Sequence, residues 1–368
     1  MAGQESENIK MQYAQLGNTG LRVSIMDHNL PLALYSQHRQ VSKIALGCMS
    51  YGSSQWQSWV KEEEESLVMI EKAYKAGINF FDTANVYSSG ESERILGKAI
   101  KKFNMDRSRI VVATKVFCPV VNGFKSNSMS KGLFEDPELV NRYGLSRKHI
   151  FDAVDASLER LQLDYIDLYQ IHRLDKNTPM EEIMCALNDL VRMGKVRYIG
   201  ASSMHAWEFQ KMNNIAEKHG WTRFVSMQNL YNLIYREEER EMMPYCADQG
   251  IAVLPWSPLA RGVLAGKNRQ STRSSTDAAI HRLFDQASEA NNDAIVDQVV
   301  QIAEKKGLAP AHVALAWVLS KPFVTAPIVG MTKDGHLEDA IAALDVELTK
   351  EEIESLESLY MPRRIHPM

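Results

Sequence analysis

Four side chains that can donate, hold or orient a proton occur in short, well-spaced motifs. Asp82 and Tyr87 lie in FFDTANVY, Lys115 in VVATKV and His172 in YQIHR. A free tyrosine has a pKa of about 10 and is a poor acid at neutral pH unless its phenolate is stabilised. A nearby ammonium lowers the pKa of a phenol, and a carboxylate keeps that ammonium charged and oriented. With a histidine on the substrate oxygen, the set suits protonation of a carbonyl oxygen while hydride reaches its carbon.

Each of the four residues lies at or just after the carboxyl end of a short apolar run. Most of the runs are continuous, which is typical of strands that are covered on both faces. We predict eight strands, at Lys43–Leu46, Ile78–Asp82, Ile110–Lys115, Ile166–Ile171, Arg197–Ala201, Phe224–Gln228, Ile251–Trp256 and Thr325–Val329.

Segments with helical periodicity separate these strands. Examples are Glu65–Lys75, Met180–Met193, Ala309–Leu319 and the segment after Ser146, a good N-cap residue. The alternation predicts an α/β fold, a parallel sheet closed as a (β/α)8 TIM barrel with its chemistry at the carboxyl ends of the strands. An open doubly wound sheet is the alternative, but no GxGxxG follows the first strand.

The N-terminal segment MQYAQLGNTGLRVS has alternating apolar residues around Gly17–Gly20. This pattern predicts a β-hairpin that closes the barrel floor. We find no internal repeat and no low-complexity linker, so residues 1–368 are predicted to form a single domain.

The composition predicts a cytoplasmic protein without a nucleic-acid or membrane partner. Charged residues make up 24% of the 368 residues and the formal net charge is -4. The four cysteines are far apart and form no CxxC pair, which favours reduced thiols over disulfides or a metal site. No signal peptide or membrane-spanning run is predicted. The acidic clusters at 61–65 and 236–241 are interpreted as solvated helix starts, and the protein as a monomer or weak homo-oligomer.

Each member of the four-residue set also has an ordinary structural interpretation. Tyr87 could pack, Lys115 could end a strand, Asp82 could cap a turn, and His172 could be a core histidine. Their joint occurrence at strand ends, in this order, favours a site over coincidence.

These motifs, together with sequence from LGNTGLRVS to HLEDAIAAL, resemble the aldo-keto reductase superfamily. The resemblance implies that Tyr87 is the general acid of a nicotinamide-dependent carbonyl reductase. It also implies that Lys115 and Asp82 tune the tyrosine, and that His172 orients the substrate carbonyl.

The resemblance also assigns residues to the cofactor, expected to be NADPH (NADP+). Ser202 and Gln228 match the residues that grip the nicotinamide carboxamide, whereas Ser203 stands where Asn is usual. Trp256 matches the aromatic residue that stacks on the nicotinamide ring. The other assigned residues are Gly47, Cys48, Met49, Asp82, Ser257, Leu259, Arg261, Gly262, Gly330, Thr332, Lys333 and His336. A cation such as Lys333 at the adenosine end favours NADPH over NADH.

Within the superfamily, the chain is most similar to fungal reductases of aromatic polyketide pathways and to aryl-alcohol dehydrogenase-like reductases. SSQWQSWVKEEEE and YREEEREMMPYC carry part of that likeness. Two long loops, Phe117–Tyr143 and Arg261–Ala294, are expected to select the small-molecule carbonyl substrate. The aromatic residues of the first loop either line a pocket or pack within the loop: Phe117, Phe124, Phe134 and Tyr143.

Residues 25–42 depart from the family pattern. Val23-Ser24 recurs as Val41-Ser42, and removal of 25–42 restores the family sequence. We interpret this atypical insert as an in-frame retained intron; the alternative is a genuine flap at the barrel floor.

Three function classes remain at this stage. The first is an NADPH-dependent reductase of aldehydes or ketones, including aromatic or polyketide-derived carbonyls. The second is an NADPH-binding regulatory subunit on a reductase fold, like the β-subunits of potassium channels. The third is a metal-dependent barrel hydrolase, although no HxH motif or His/Asp pair occurs at the strand ends.

Overall fold

A computed structural model describes residues 11–19, 41–123, 135–266, 272–284 and 292–366. Its strands are β1 (Tyr13–Ala14), β2 (Val41–Ser42), β3 (Ala45–Gly47), β4 (Phe80–Asp82), β5 (Val111–Val116), β6 (Ile166–Ile171), β7 (Val196–Ser202), β8 (Ser226–Gln228), β9 (Ala252–Val253) and β10 (Ile328–Val329). Its α-helices are α1 (Glu63–Lys75), α2 (Glu91–Lys102), α3 (Arg147–Leu161), α4 (Met180–Arg192), α5 (Ala206–His219), α6 (Met242–Gln249), α7 (Thr272–Thr276), α8 (Ala278–Phe284), α9 (Asn292–Lys306), α10 (Pro310–Leu319), α11 (Asp334–Ala342) and α12 (Lys350–Glu357).

Strands β3 to β10 form one parallel sheet in the order β10-β3-β4-β5-β6-β7-β8-β9. Parallel bridges from Val253 to Val324 and from Trp256 to Ile328 join the two ends of this sheet. The sheet is therefore closed, and the predicted (β/α)8 barrel is confirmed. All eight predicted strand positions are occupied, with ends that differ by a few residues.

The continuous apolar runs reflect two separate cores. In β4, Phe80 belongs to a cluster inside the barrel, whereas Phe81 belongs to the larger cluster between the strands and the helices. In β5, Val111 and Val112 divide in the same way. Because successive strand residues point to opposite faces, both faces of each strand need apolar side chains here.

The N-terminal segment covers the floor of the barrel, as predicted. Leu16 is fully buried and joins the cluster inside the barrel. Among the described residues, the strand that pairs antiparallel with β1 is β2, residues 41–42. The second Val-Ser pair thus occupies the hairpin position. Most of the insert, residues 25–40, lies outside the described residues.

The two acidic clusters differ in structure. Residues 61–65 lead into α1, as predicted. The interpretation of 236–241 as a solvated helix start is wrong, because Glu237 and Glu238 are buried. Glu237 accepts hydrogen bonds from Tyr360 and Arg240, so this cluster binds the C-terminal segment to the barrel.

Within the described ranges, no helix is long and apolar enough to span a membrane. The same part of the chain contains no group of three or more His, Cys, Asp or Glu side chains that could hold a metal ion. All four cysteines are free thiols, and three of them are buried.

Candidate active site

Strand alternation directs the four candidate residues to one place. Inside the barrel, Phe80, Val111 and Leu168 share one cluster. The side chains two and four residues further along a strand return to the same face. Asp82, Lys115 and His172 are at those positions of β4, β5 and the end of β6. Tyr87 follows in a short 3-10 turn after β4.

Lys115 joins Asp82 to Tyr87. Its Nζ lies 2.5 Å from Asp82 Oδ1 and 2.8 Å from the backbone oxygen of Thr83. The same Nζ donates a 3.3 Å hydrogen bond to the phenol oxygen of Tyr87. Lys115 is fully buried and Asp82 is 2% exposed. The ammonium is therefore held by a carboxylate and directed at the phenol.

Two glutamine side chains complete the hydrogen bonding of Asp82. Gln170 Nε2 and Gln228 Nε2 donate to Asp82 Oδ2 at 3.1 and 2.9 Å. Gln228 Nε2 also lies 3.1 Å from Gln170 Oε1. Gln170 was not among the residues predicted from sequence. The sequence signal that could have identified it is its position two residues before His172 on β6, which places both side chains on the inward face of the strand.

The environment of Tyr87 acts on its acidity in two directions. Burial raises the pKa of Tyr87, the Lys115 ammonium lowers it, and the Asp82 carboxylate raises it, so that the pKa lies above its ordinary value. The predicted effect of Lys115 is thus present but is outweighed by burial. A raised pKa keeps the phenol protonated at neutral pH, which is the form that can donate a proton.

Lys115 remains a cation in this environment. Burial by itself lowers the pKa of a lysine, but the charge of Asp82 and the hydrogen bonds with Asp82 and Tyr87 outweigh it, so the pKa of Lys115 is raised.

The ring of His172 packs against the ring of Tyr87 at the same end of the barrel. The two ring centroids are 5.8 Å apart and the rings are nearly perpendicular. Burial, followed by the charges of Arg173 and Lys115, holds the pKa of His172 well below its usual range. The imidazole is therefore neutral at physiological pH, and it can offer an N–H to a substrate oxygen.

These residues form the bottom of a cleft of about 1810 Å³ at the carboxyl ends of the strands. Of the predicted set, the following line it: Gly47, Met49, Asp82, Tyr87, His172, Ser202, Gln228, Trp256, Ser257, Leu259, Arg261, Gly262, Gly330, Thr332, Lys333 and His336. Cys48 does not line the cleft, because its side chain is buried in the outer core. Lys115 lies behind Tyr87, and Ser203 lies behind Trp256.

Trp256 lines this cleft and is held by a hydrogen bond. Its indole Nε1 donates to Ser203 Oγ at 3.2 Å, so the serine that replaces the usual Asn holds the tryptophan ring. Ser202 Oγ donates to the backbone oxygen of Gln228 at 2.8 Å. Ser202 Oγ also lies 3.4 Å from Ser203 Oγ and retains capacity to accept one more hydrogen bond, as does Gln228 Oε1, from a carboxamide.

The loop after β9 has an unusual backbone conformation. Ser257, Ala260, Arg261 and Gly262 all have positive φ, from 48° to 104°. Such backbone conformations are strained for residues other than glycine and cluster at functional sites. Within the loop, the N–H groups of Ala260 and Gly262 donate to the backbone oxygens of Ser257 and Leu259 at 2.9 and 2.8 Å. Arg261 pairs with Asp277 at 2.5 Å, and its Nε is buried without a hydrogen-bond partner.

The end of β10 leads into α11 with polar groups at the helix start. Lys333 is the N-cap residue of α11, is exposed, and has no ion-pair partner among the described residues. His336 Nδ1 accepts from the backbone N–H of Thr332 at 3.3 Å. The residues present therefore fit a dinucleotide phosphate that reaches this end of the cleft.

A tryptophan from an unexpected loop lies beside Tyr87 in the cleft. Trp56 lies 6.3 Å from Tyr87, centroid to centroid, and its Nε1 is buried without a partner. Phe117 instead packs with Val86 and Cys118. Phe117 and Tyr143 do not line the cleft, so for these two residues packing within the loop is the better interpretation. Phe124 and Phe134 lie outside the described residues.

Comparison with known proteins agrees with this geometry. The Aldo/keto reductase family model matches residues 43–361, and the chain belongs to that family. It is an oxidoreductase that uses a nicotinamide cofactor and reduces small-molecule carbonyl compounds.

The individual relatives are fungal. Versiconal hemiacetal acetate reductase of Aspergillus parasiticus is 51% identical over 360 residues, which cover 97% of this chain and 99% of that protein. A Schizosaccharomyces pombe protein named for aryl-alcohol dehydrogenase activity is 47% identical over 363 residues, covering 95% and 96%. An aldo-keto reductase of Metarhizium robertsii is 44% identical over 372 residues, covering 98% and 94%. These names favour the enzyme over the regulatory subunit and the hydrolase.

Proposed function

We propose that this protein is an NADPH-dependent reductase that converts an aromatic aldehyde or ketone to its alcohol, with Tyr87 as proton donor. The observation that carries the proposal is the position of Lys115, which contacts Asp82 and Tyr87 in a buried site. Electrostatic groups act strongly in such a site because water does not screen them.

Each member of the set has a distinct task. Tyr87 gives its proton to the carbonyl oxygen, and Lys115 stabilises the phenolate that remains. Asp82, held by two glutamines, fixes the position of the ammonium. Neutral His172 donates a hydrogen bond to the same substrate oxygen and so orients the carbonyl toward the hydride donor.

NADPH supplies the hydride when it is bound. Trp256 offers a flat surface for the nicotinamide, with Ser202 and Gln228 at its carboxamide. The loop that includes Ser257, Leu259, Arg261 and Gly262 lines the cleft and is the candidate for the pyrophosphate. Lys333, exposed and without an ion-pair partner in the described ranges, is the candidate for the 2′-phosphate, and this assignment supports NADPH over NADH.

An aromatic substrate is supported by the Trp56 ring beside Tyr87. An indole ring offers a large flat contact area for an aromatic substrate. The name of the Aspergillus parasiticus relative, a reductase of versiconal hemiacetal acetate, points the same way.

The replacement Tyr87→Phe tests the proposal. It removes the proton donor but leaves the ring, so NADPH binding stays near the wild-type level. We expect reduction of benzaldehyde derivatives, followed by NADPH absorbance, to fall by about 10²- to 10⁴-fold. Tyr74→Phe, which removes a hydroxyl that contacts Asp106 on the helical exterior, is the matched control and keeps full activity. Substantial activity in Tyr87→Phe would assign the proton to another group.

A further inference from the structure

A second cationic side chain, that of Arg173, lines the cleft near Tyr87. Arg173 follows His172 at the end of β6 and lines the cleft beside Tyr87. Its Nη1 donates to the backbone oxygen of His172 at 2.6 Å. Among the described residues, Arg173 makes this one side-chain hydrogen bond and has no ion-pair partner. It was not predicted from sequence.

The surroundings of Arg173 do not neutralise its charge. Burial lowers the pKa of Arg173, and the groups that partly oppose this are the Cys118 thiol and the Tyr87 phenol. Both are neutral near pH 7, because burial raises the pKa of Cys118 to about 12 and also raises that of Tyr87. A further cation, Arg282 of α8, lines the same cleft and lowers the pKa of Arg173 again.

Three other cations at this part of the cleft already have counter-ions. Lys115 has Asp82, and Arg261 and Arg273 share Asp277. Burial of a guanidinium without a counter-ion is unfavourable unless an anion arrives to pair with it. Among the described residues of the cleft near Tyr87, Arg173 and Arg282 are therefore the cations without a counter-ion.

We infer that the substrate carries an anionic group as well as its carbonyl, a carboxylate or an ionised acidic phenol, and that Arg173, assisted by Arg282, binds it. This inference rests on the proposed function and specifies its substrate class. The guanidinium fork matches the two oxygens of a carboxylate and also pairs with a phenolate oxygen. The hydrogen bond to the backbone of His172 holds the fork in place, so that the anionic group fixes the position of the carbonyl at Tyr87 and His172.

The test compares aldehydes that differ in charge and little else. One pair is 4-carboxybenzaldehyde and its methyl ester; the other is 4-hydroxy-3-nitrobenzaldehyde, ionised near neutral pH, and its methyl ether. Wild-type protein is expected to prefer the charged member of at least one pair by about tenfold or more in kcat/KM, the usual strength of one charge-assisted hydrogen bond. The pair that shows the preference identifies the carboxylate or the phenolate. No preference in either pair overturns the inference.

Variants then assign the preference to residues. Arg173→Gln is expected to remove most of the preference, Arg173→Lys to keep part of it, and Arg282→Gln to lower it by a smaller factor. Arg192→Gln, an exposed arginine of α4, is the control and leaves the ratio unchanged. Equal loss of activity toward both members of a pair in Arg173→Gln would make Arg173 a structural residue and refute its role. If Arg173→Gln does not fold, Arg173→Lys and Arg282→Gln decide by the same ratio.

Failure of this inference is separate from failure of the proposed function. Reduction of the neutral ester by wild-type protein and its loss in Tyr87→Phe test the reductase assignment alone. The charge ratio tests the substrate class alone.

Discussion

The replacement Lys115→Met examines the centre of the proposed mechanism. The ammonium lies 3.3 Å from the Tyr87 oxygen, and at an effective dielectric constant of about 20 a unit charge at that distance stabilises a phenolate by up to about 5 kcal/mol. Methionine fills similar space but has no charge. The phenol then becomes a weaker acid, so we expect kcat for aldehyde reduction to fall by at least about tenfold at every pH.

The pH dependence gives the sharper result. Tyr87 must be protonated for reduction, so activity falls as pH rises through its pKa. Loss of Lys115 raises that pKa, and the alkaline decline moves to higher pH. Because the pKa of Tyr87 lies above its ordinary value of about 10, the rate of NADPH oxidation with a neutral benzaldehyde is measured from pH 6 to about 11. An alkaline decline at the wild-type pH would refute the tuning of Tyr87 by Lys115.

Folding must be separated from chemistry in this experiment. Lys115→Met leaves the Asp82 carboxylate buried with two amide donors, and breaking a buried ion pair in this way costs about 3–5 kcal/mol of stability. The double variant Asp82→Asn with Lys115→Met removes the unpaired charge, so it is expected to melt above the single variant but to remain inactive. Lys102→Met, at an exposed lysine of α2, is the control for the loss of a surface charge.

Three further predictions concern the rest of the protein. Lys333→Ala is expected to raise the Kd for NADPH by about tenfold and to change the Kd for NADH little, because only NADPH carries a 2′-phosphate. Titration of protein fluorescence measures both Kd values, and equal weakening of the two cofactors would place the phosphate site elsewhere. Gln170→Leu removes one of the donors to Asp82 and is expected to lower kcat more than it raises KM, whereas an unchanged kcat would make Gln170 a packing residue. Deletion of residues 25–42 is expected to leave the melting temperature no lower and the rate of aldehyde reduction unchanged, because the entropic cost of closing the loop changes by only about 1 kcal/mol. Loss of folding in the shortened chain would show that the segment is required for the structure.

The shortened chain keeps the strand that pairs with β1. Removal of 25–42 and removal of 23–40 give the same chain, because the Val-Ser pair is repeated at both junctions. In either description one Val-Ser pair remains to form the strand opposite β1. Ser42 donates its backbone N–H to Asn79 Oδ1 at 2.7 Å, and Ser24 would take this position in the shortened chain.

The barrel and the four-residue set were predictable because they depend on local pattern. Continuous apolar runs at regular intervals indicate strands that are buried on both faces, and the carboxyl ends of such strands meet at one rim. The register of β4, β5 and β6 then directs Asp82, Lys115 and His172 inward. These features follow from the period of two residues along a strand and need no knowledge of distant contacts.

Contacts between distant segments could be decided only by the tertiary structure. Gln170, Arg173 and Trp56 are ordinary residues in the sequence, and they become important because other strands and loops bring Asp82 and Tyr87 to them. The direction of the pKa change at Tyr87 also depends on burial, which outweighs the nearby ammonium. The sequence by itself determined which residues could do the chemistry; the packing decided how acidic they are and which charges around them remain unpaired, because desolvation and ion pairing act through space.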